Sequence, residues 1–335
     1  MATAEAFEPD PTHTPTPEAA HVRLEHFPIS FFAITMGLSG LTLALLRLEH
    51  SAEISHTLSI GALIAASASA IIVALFYFAK IIRHPQAVRA EWHHPVRLSF
   101  FPAASISLIL LATAVFPFSQ KTSLVLWSTG TTLHFLGTLA VVSAWISHRP
   151  FEIPHLNPAW FIPAVGNVLV PVVGVKLGYV EVSWFFFSVG MVFWLILLTL
   201  IFNRLIFHNP MPGRLFPTMV ILIAPPAVGF IAYTRLIGDV DPFARMLYYA
   251  GVMFAILVIT QLPRLARLDF ALSWWAYSFP VAALTISTFL YAEMTHSDWH
   301  RYAAYGVFSI LGLVIALLVV RTIVAIAAGK ICEPE

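Results

Sequence analysis

The chain has 335 residues, 59% of them hydrophobic and 10% charged, with a net charge of +1 and a mean hydropathy of +0.84. A soluble globular chain carries roughly 25% charged residues, so this composition is that of an integral membrane protein, and its near-neutral balance offers nothing to nucleic acid. The single cysteine, Cys332, excludes an internal disulfide and a thiolate metal cluster.

Residues 1–22 are rich in Pro, Ala, Thr and Glu and lack both an apolar run and a basic start, so they read as a disordered leader. Ten hydrophobic segments of near-spanning length follow, at 27–46, 57–79, 98–116, 123–146, 159–175, 183–203, 215–234, 246–262, 271–292 and 302–320. The loops between them are short, which makes consecutive helices antiparallel neighbours. Lys and Arg number twelve on the side of the N-terminus, the loops after even helices and the C-terminus, against six on the other. That asymmetry places both termini in the cytoplasm.

Prolines separate the two sets of helices. The odd segments hold Pro28, Pro102, Pro163, Pro171, Pro217, Pro225, Pro226 and Pro280, and the even segments none. Pro28, Pro102, Pro163, Pro217 and Pro280 stand 74, 61, 54 and 63 residues apart, about one helical hairpin each, which reads as a fivefold internal repeat. Two readings of these prolines are open: boundary markers at helix starts, or breaks in the backbone. Broken helices belong inside a bundle, where neighbours or cavity water satisfy the freed carbonyls. The pattern therefore predicts five inner odd helices ringed by five unbroken even ones.

The ninth segment centres on Ser278-Phe279-Pro280. Proline inside that helix removes one backbone hydrogen bond and crowds the carbonyl of Ala276. Phe279 beside it is either a plug in a passage or a packed core ring.

Among the fourteen histidines only His134 falls clearly within a span, and the His93-His94 pair reads as loop. One intramembrane His does not make a haem or metal site, so no cofactor or metal is expected and His134 reads as a hydrogen-bonded packing residue. No carboxylate lies near a helix midpoint; Glu181, Glu293, Asp239, Asp241 and Asp269 sit at edges or in loops. Proton-coupled transport through buried acids has no residue to carry it. The expected passage is free of fixed charge and lined by backbone, aromatic rings and hydroxyls, among them Ser30, Thr35, Ser39, Ser105, Ser107, Ser278, Thr285, Ser287 and Thr288, with Asn167. Such a lining binds ions weakly and lets them leave, although most hydroxyls in helices bond their own backbone. No nucleophile motif or phosphate-cradling loop is present, so an enzyme is not expected.

Five stretches together carry a resemblance: Pro28–Gly40, Val88–Arg97, Asn157–Val165, Ile223–Pro226 and Ser273–Pro280. With them the chain, over about residues 25–328, resembles the TehA family, which includes bacterial tellurite-resistance proteins and plant guard-cell slow anion channels; dicarboxylate, malate and sulfite carriers share the superfamily. The resemblance implies an all-α integral membrane fold of ten helices, five hairpins around a central pore with odd helices inside. It divides the chain into the leader at 1–22, a channel domain at 23–328 and a short cytoplasmic tail at 329–335. It also implies a homotrimer with one pore per subunit, in the plasma (inner) membrane. A Phe of the ninth helix blocks the pore in this family, and its position falls on Phe279. The expected kink and pore-lining positions are Pro28, Gly37, Gly40, Pro102, Pro163, Pro225, Pro226 and Pro280. Where a bacterial relative has a proline kink this chain has Thr35-Met36, so bending of the first helix is expected to rest on Gly37 and Gly40. The function implied is passive conduction of chloride and nitrate. The alternatives are a carrier for malate or another small oxyanion, such as sulfite or tellurite, with or without proton coupling, and a membrane scaffold acting without transport.

Overall fold

A computed structural model describes residues 23–147, 151–329, 331 and 332. The leader at 1–22 lies outside the described residues, as do most of the tail and Arg149 and Lys330 of the charge count. Helices, and no strands, make up the regular structure of the described residues. We number ten of them: α1 Ile29–Ser51, α2 Thr57–Arg83, α3 Arg97–Val115, α4 Gln120–Ile146, α5 Pro158–Gly174, α6 Val180–Phe207, α7 Phe216–Ile237, α8 Pro242–Thr260, α9 Ser278–Thr295 and α10 Asp298–Ala327. Among the described residues eight are long and apolar enough to cross a bilayer; α5 and α9 are shorter or less apolar.

Burial sorts these helices as the prolines do. The most apolar stretches of α1, α3 and α7 are 56%, 67% and 78% buried, whereas those of α2, α4, α6, α8 and α10 are only 17–33% buried. In α9 fourteen side chains are buried, from Ser278 through Ala292. The odd helices pack as a closed ring, α1 on α3, α3 on α5, α5 on α7, α7 on α9 and α9 back on α1. Each even helix lies against the odd helix that precedes it and presents outward side chains such as Ile64, Leu136, Leu195, Met253 and Leu313. An apolar face that no protein covers is stable only against lipid or another apolar surface.

The odd helices differ from the even ones in backbone as well. The even helices are single α-helices, up to 30 residues long in α10. The odd helices begin as 3-10 helix and change to α part-way: Ile29–Phe31 before Phe32, Arg97–Phe100 before Ala103, Phe216–Ile223 before Ala224, and Leu272–Tyr277 before Ser278. In α5 the change happens repeatedly, through Pro158–Trp160, Phe161–Val165, Gly166–Leu169 and Val170–Gly174.

This corrects the kinked-helix reading of the prolines. Pro225 and Pro226 are the second and third residues of the α-helical part of α7, and Pro280 is the third residue of α9. Pro163 and Pro171 hold equivalent places in α5, while Pro28 and Pro102 immediately precede Ile29 and Ala103. A first-turn residue has no intrahelical acceptor for its N–H, so proline costs nothing there. The carbonyls left over at these restarts find side chains. Thr138 Oγ1 donates to the Pro163 carbonyl at 2.6 Å, Asn167 Nδ2 to Ala164 at 2.7 Å, Trp127 Nε1 to Val170 at 3.0 Å and Ser278 Oγ to Trp275 at 2.6 Å. Each bond gives a carbonyl at a restart a side-chain donor from within the protein, which hydrocarbon could not supply.

Gly37 and Gly40 lie in α1 where it is continuous α-helix from Phe32 to Ser51. They let α1 and α9 touch. A Cβ at Gly37 would lie 2.2 Å from Ser278 Oγ, and one at Gly40 would lie 2.8 Å from the Ala282 Cβ and 3.4 Å from Phe279 Cδ2.

A helix outside the expected set, Pro85–His93, joins α2 to α3 and holds one of the two His93-His94 residues. Its Glu91 is buried and binds the start of α1: Ile29 N donates to Oε1 at 2.7 Å, while Lys80 Nζ and Tyr77 OH donate to Oε2 at 3.0 and 3.1 Å. Lys80 also donates to the Phe27 carbonyl at 2.9 Å. A buried carboxylate thus satisfies one of the orphan N–H groups at the N-terminus of α1, with a buried cation beside it.

A cavity walled by the odd helices

A cavity of about 380 Å³ lies inside the ring, and all five odd helices contribute to its wall. Each presents a stripe at helical spacing that runs toward its own C-terminus: Leu43, Leu46, Arg47 and His50 on α1; Leu110 and Thr113 on α3; Leu169, Val172 and Val173 on α5; Val228, Ile231 and Arg235 on α7; Phe279, Ala283, Ile286 and Glu293 on α9. The first residue from every helix, Leu43, Leu110, Leu169, Val228 or Phe279, is apolar. The charges come last, together with Lys176 just beyond α5 and His56 before α2. The cavity is therefore apolar at one end and charged at its mouth.

Phe279 is the largest side chain at the apolar end and is 9% exposed. It occupies the first turn of α9, directly after the 3-10 segment Leu272–Tyr277, and the missing side chain of Gly40 leaves room for its ring edge. Trp275 anchors the segment beneath it, donating from Nε1 to Thr322 Oγ1 of α10 at 3.0 Å.

At the mouth three basic side chains meet one acid. Arg47 Nη1 donates to Glu293 Oε2 at 2.9 Å, and His50 Nε2 lies 3.6 Å from Oε1 of the same carboxylate. Arg235 has neither a hydrogen bond nor a carboxylate within ion-pair distance among the described residues, and Lys176 Nζ stands 5.4 Å from the centroid of the Phe116 ring. The Lys176 amine is pushed down to about 8, first by desolvation against the surrounding protein and then by the positive charges of Arg235 and Arg47, which Glu293 only partly offsets. Glu49, nearby on α1, is fully buried but already bonded: Ser59 N donates to Oε1 at 2.9 Å and His56 Nδ1 lies 3.1 Å from Oε2.

Of the nine positions predicted from sequence, Phe279 borders this cavity. Pro28, Gly37, Gly40, Pro102, Pro163, Pro225, Pro226 and Pro280 support the ring or its helix crossings instead. The expected hydroxyl lining is also revised, because Thr113 is the one hydroxyl residue in the wall. Ser105, Ser107, Ser278, Thr285, Ser287 and Thr288 each donate to a carbonyl three or four residues back in their own helix. The cavity is not free of fixed charge, since Arg47, Lys176, Arg235 and Glu293 face its mouth. Of the four, the sequence reading puts Glu293 at a helix edge, without a partner.

His134 lies in the wall between α3, α4 and α5, away from the cavity. It is fully buried, with Nδ1 3.0 Å from Ser105 Oγ, and a Cβ at Gly166 would come within 2.8 Å of its Cε1 and Nε2. Among the described residues no three His, Cys, Asp or Glu side chains gather as metal ligands.

Comparison with known proteins identifies a family. The family described as voltage-dependent anion channel matches residues 26–323. The chain is 29% identical over 309 residues to the S-type anion channel SLAH3 of Arabidopsis thaliana, covering 90% of this chain and 48% of the plant protein. It is 26% identical over 310 residues to the guard cell S-type anion channel SLAC1 of the same plant, covering 90% and 56%. A tellurite resistance protein TehA homolog of Haemophilus influenzae is 28% identical over 306 residues, covering 90% of this chain and 92% of that protein. The chain spans about half the length of the two plant relatives. Long apolar helices, an inner ring of odd helices and a match over nearly the whole described chain lead to one assignment: the protein is an integral membrane protein of the SLAC1 family of voltage-dependent anion channels.

Proposed function

We propose that the protein conducts small anions such as chloride and nitrate passively along the axis of the odd-helix ring, with Phe279 occluding the path. The observation that carries this reading is one cavity walled by all five odd helices, with Phe279 at its apolar end and three basic side chains at its mouth. A positive mouth concentrates anions and raises their rate of entry. The apolar end supplies no strong ligand, so an anion that sheds its water readily passes without being trapped. In this reading α5 and α9 also cross the membrane, making five hairpins. By the charge count the termini are cytoplasmic and the mouth opens on the opposite side of the plasma membrane. The assembly is a homotrimer, which crosslinking of the purified protein tests.

The deciding experiment is anion current in planar bilayers for the wild type and Phe279→Ala, in chloride, nitrate and malate. The substitution removes the ring and keeps Pro280 in its first-turn place. Large unsaturating currents from the variant and small ones from the wild type support the channel. Unchanged current in a well-folded variant refutes occlusion by Phe279. Silence from both, with saturable malate uptake into vesicles, supports the carrier, for which a cluster of cations is an equally suitable dicarboxylate site.

A further inference from the structure

The mouth of the cavity holds more than a diffuse positive field. Three of its four charged groups are cations on different helices, and they are not equivalently paired. Arg47 is tied to Glu293 at 2.9 Å, and that carboxylate also has His50 at 3.6 Å. Arg235, half-buried on α7, and Lys176, exposed at the end of α5, have no carboxylate within ion-pair distance among the described residues. Glu49, a buried acid near the mouth, is held by the Ser59 amide and His56. Cations held together repel one another and bear a desolvation cost, and Glu293 is the negative charge that Lys176 and Arg235 share. The Lys176 amine is lowered first by desolvation and then by Arg235 and Arg47, which Glu293 only partly offsets.

We propose that Lys176 and Arg235 form a binding subsite for a small inorganic anion at the cavity mouth, and that Glu293 is a tethered competitor for it. Glu293 is half exposed, on a side chain long enough to swing, and its fixed negative charge stands where an incoming anion gains most. While it pairs with Arg47 it removes one of the three cations from the field and repels the anion that the other two would hold. Its effect is to keep occupancy low at modest anion concentration, so that the subsite admits without retaining. The proposal rests on the reading of this cavity as an anion path, and it adds the site and the residue that sets its affinity.

The test uses purified full-length protein and nitrate as the probe, at constant ionic strength with gluconate as the replacement anion. The reactivity of Lys176 toward a small acetylating reagent at mildly alkaline pH is read by mass spectrometry as nitrate is raised. Nitrate is expected to slow acetylation of Lys176. In Glu293→Gln the half-protecting concentration is expected to fall by roughly fivefold or more, because one opposing charge leaves the site; in Arg235→Gln protection is lost. Glu293→Ala should behave as Glu293→Gln does, which separates charge from shape. Equal half-protection in the wild type and both Glu293 variants, or no protection in any of them, overturns the proposal. Labelling does not depend on conduction. Protection without current from Phe279→Ala keeps the subsite while the path fails; current from that variant without protection of Lys176 keeps the path and overturns the subsite.

Discussion

The crossing of α1 and α9 beside Phe279 allows a prediction whose size follows from distances. In Gly40→Ala the new methyl carbon would stand 2.8 Å from the Ala282 Cβ, which is fully buried, and 3.4 Å from Phe279 Cδ2. Carbon atoms rest about 3.5–4.0 Å apart, so the helices must separate by about 1 Å, a strain of about 1–3 kcal/mol. Replacing glycine by alanine in a helix returns about 1 kcal/mol, leaving a net loss of about 0–2 kcal/mol. Ala282→Gly alone forfeits about 1 kcal/mol of helix propensity and about 0.8 kcal/mol for the buried methyl. In the double variant the propensity terms cancel, and the methyl from position 40 fills the space that position 282 vacates. The two substitutions should therefore couple favourably by about 1–3 kcal/mol. The assay is the thermal midpoint of the four proteins in one detergent at one scan rate, since membrane-protein unfolding is often irreversible and rate-dependent. A double variant destabilised by the sum of its parts would refute the crossing, and with it the placement of the Phe279 ring against α1.

Three further outcomes follow from the packing and the charges. Thr138→Val keeps the shape of the side chain but leaves the Pro163 carbonyl of α5 without its 2.6 Å donor and Asn167 Nδ2 without one of its two acceptors; a stability loss of about 1–3 kcal/mol is expected, and a thermal midpoint equal to wild type would contradict it. Glu91→Leu strands the buried Lys80 ammonium and the Ile29 amide, for which about 3–5 kcal/mol is expected; proteolysis of the α1 N-terminus should accelerate with it. Current through Phe279→Ala should fall as pH rises through about 8, because the Lys176 amine is charged below that value and neutral above it. The test is made with His50→Gln and His56→Gln present, and a profile unchanged by Lys176→Gln would exclude the amine as its source.

The separation into inner and outer helices was legible because it has a compositional cause. Helices facing lipid do best as unbroken α-helix, so prolines collect where protein can satisfy spare carbonyls. What the prolines do locally was not legible. A linear sequence gives the same sign for a kink and for a fresh helix start, and only the 3-10 segments Phe216–Ile223 and Leu272–Tyr277 decide between them. Glu91 was missed because the adjacent His93-His94 drew the stretch into a loop, although Pro85 at a helix start was a visible signal.

The charged mouth escaped notice for a different reason. Arg47 and Glu293 are 246 residues apart in the chain, and the four charges come from four separate stretches, so no window of sequence contains the cluster. Its signal was distributed: Leu43 and Arg47, and Ile231 and Arg235, are each pairs four residues apart on one helix face, and Lys176 follows just past the end of α5. An apolar residue followed by a cation, at the ends of helices that the prolines already place inside, is the linear trace of a cavity that is apolar within and positive at its mouth. The fourth stretch to bring a charge, α9, brings the opposite sign. On the proposed reading, a passage built only to attract anions would have no use for Glu293, whereas one that must also release them does. The same carboxylate can thus set both how many anions enter and how long each one stays.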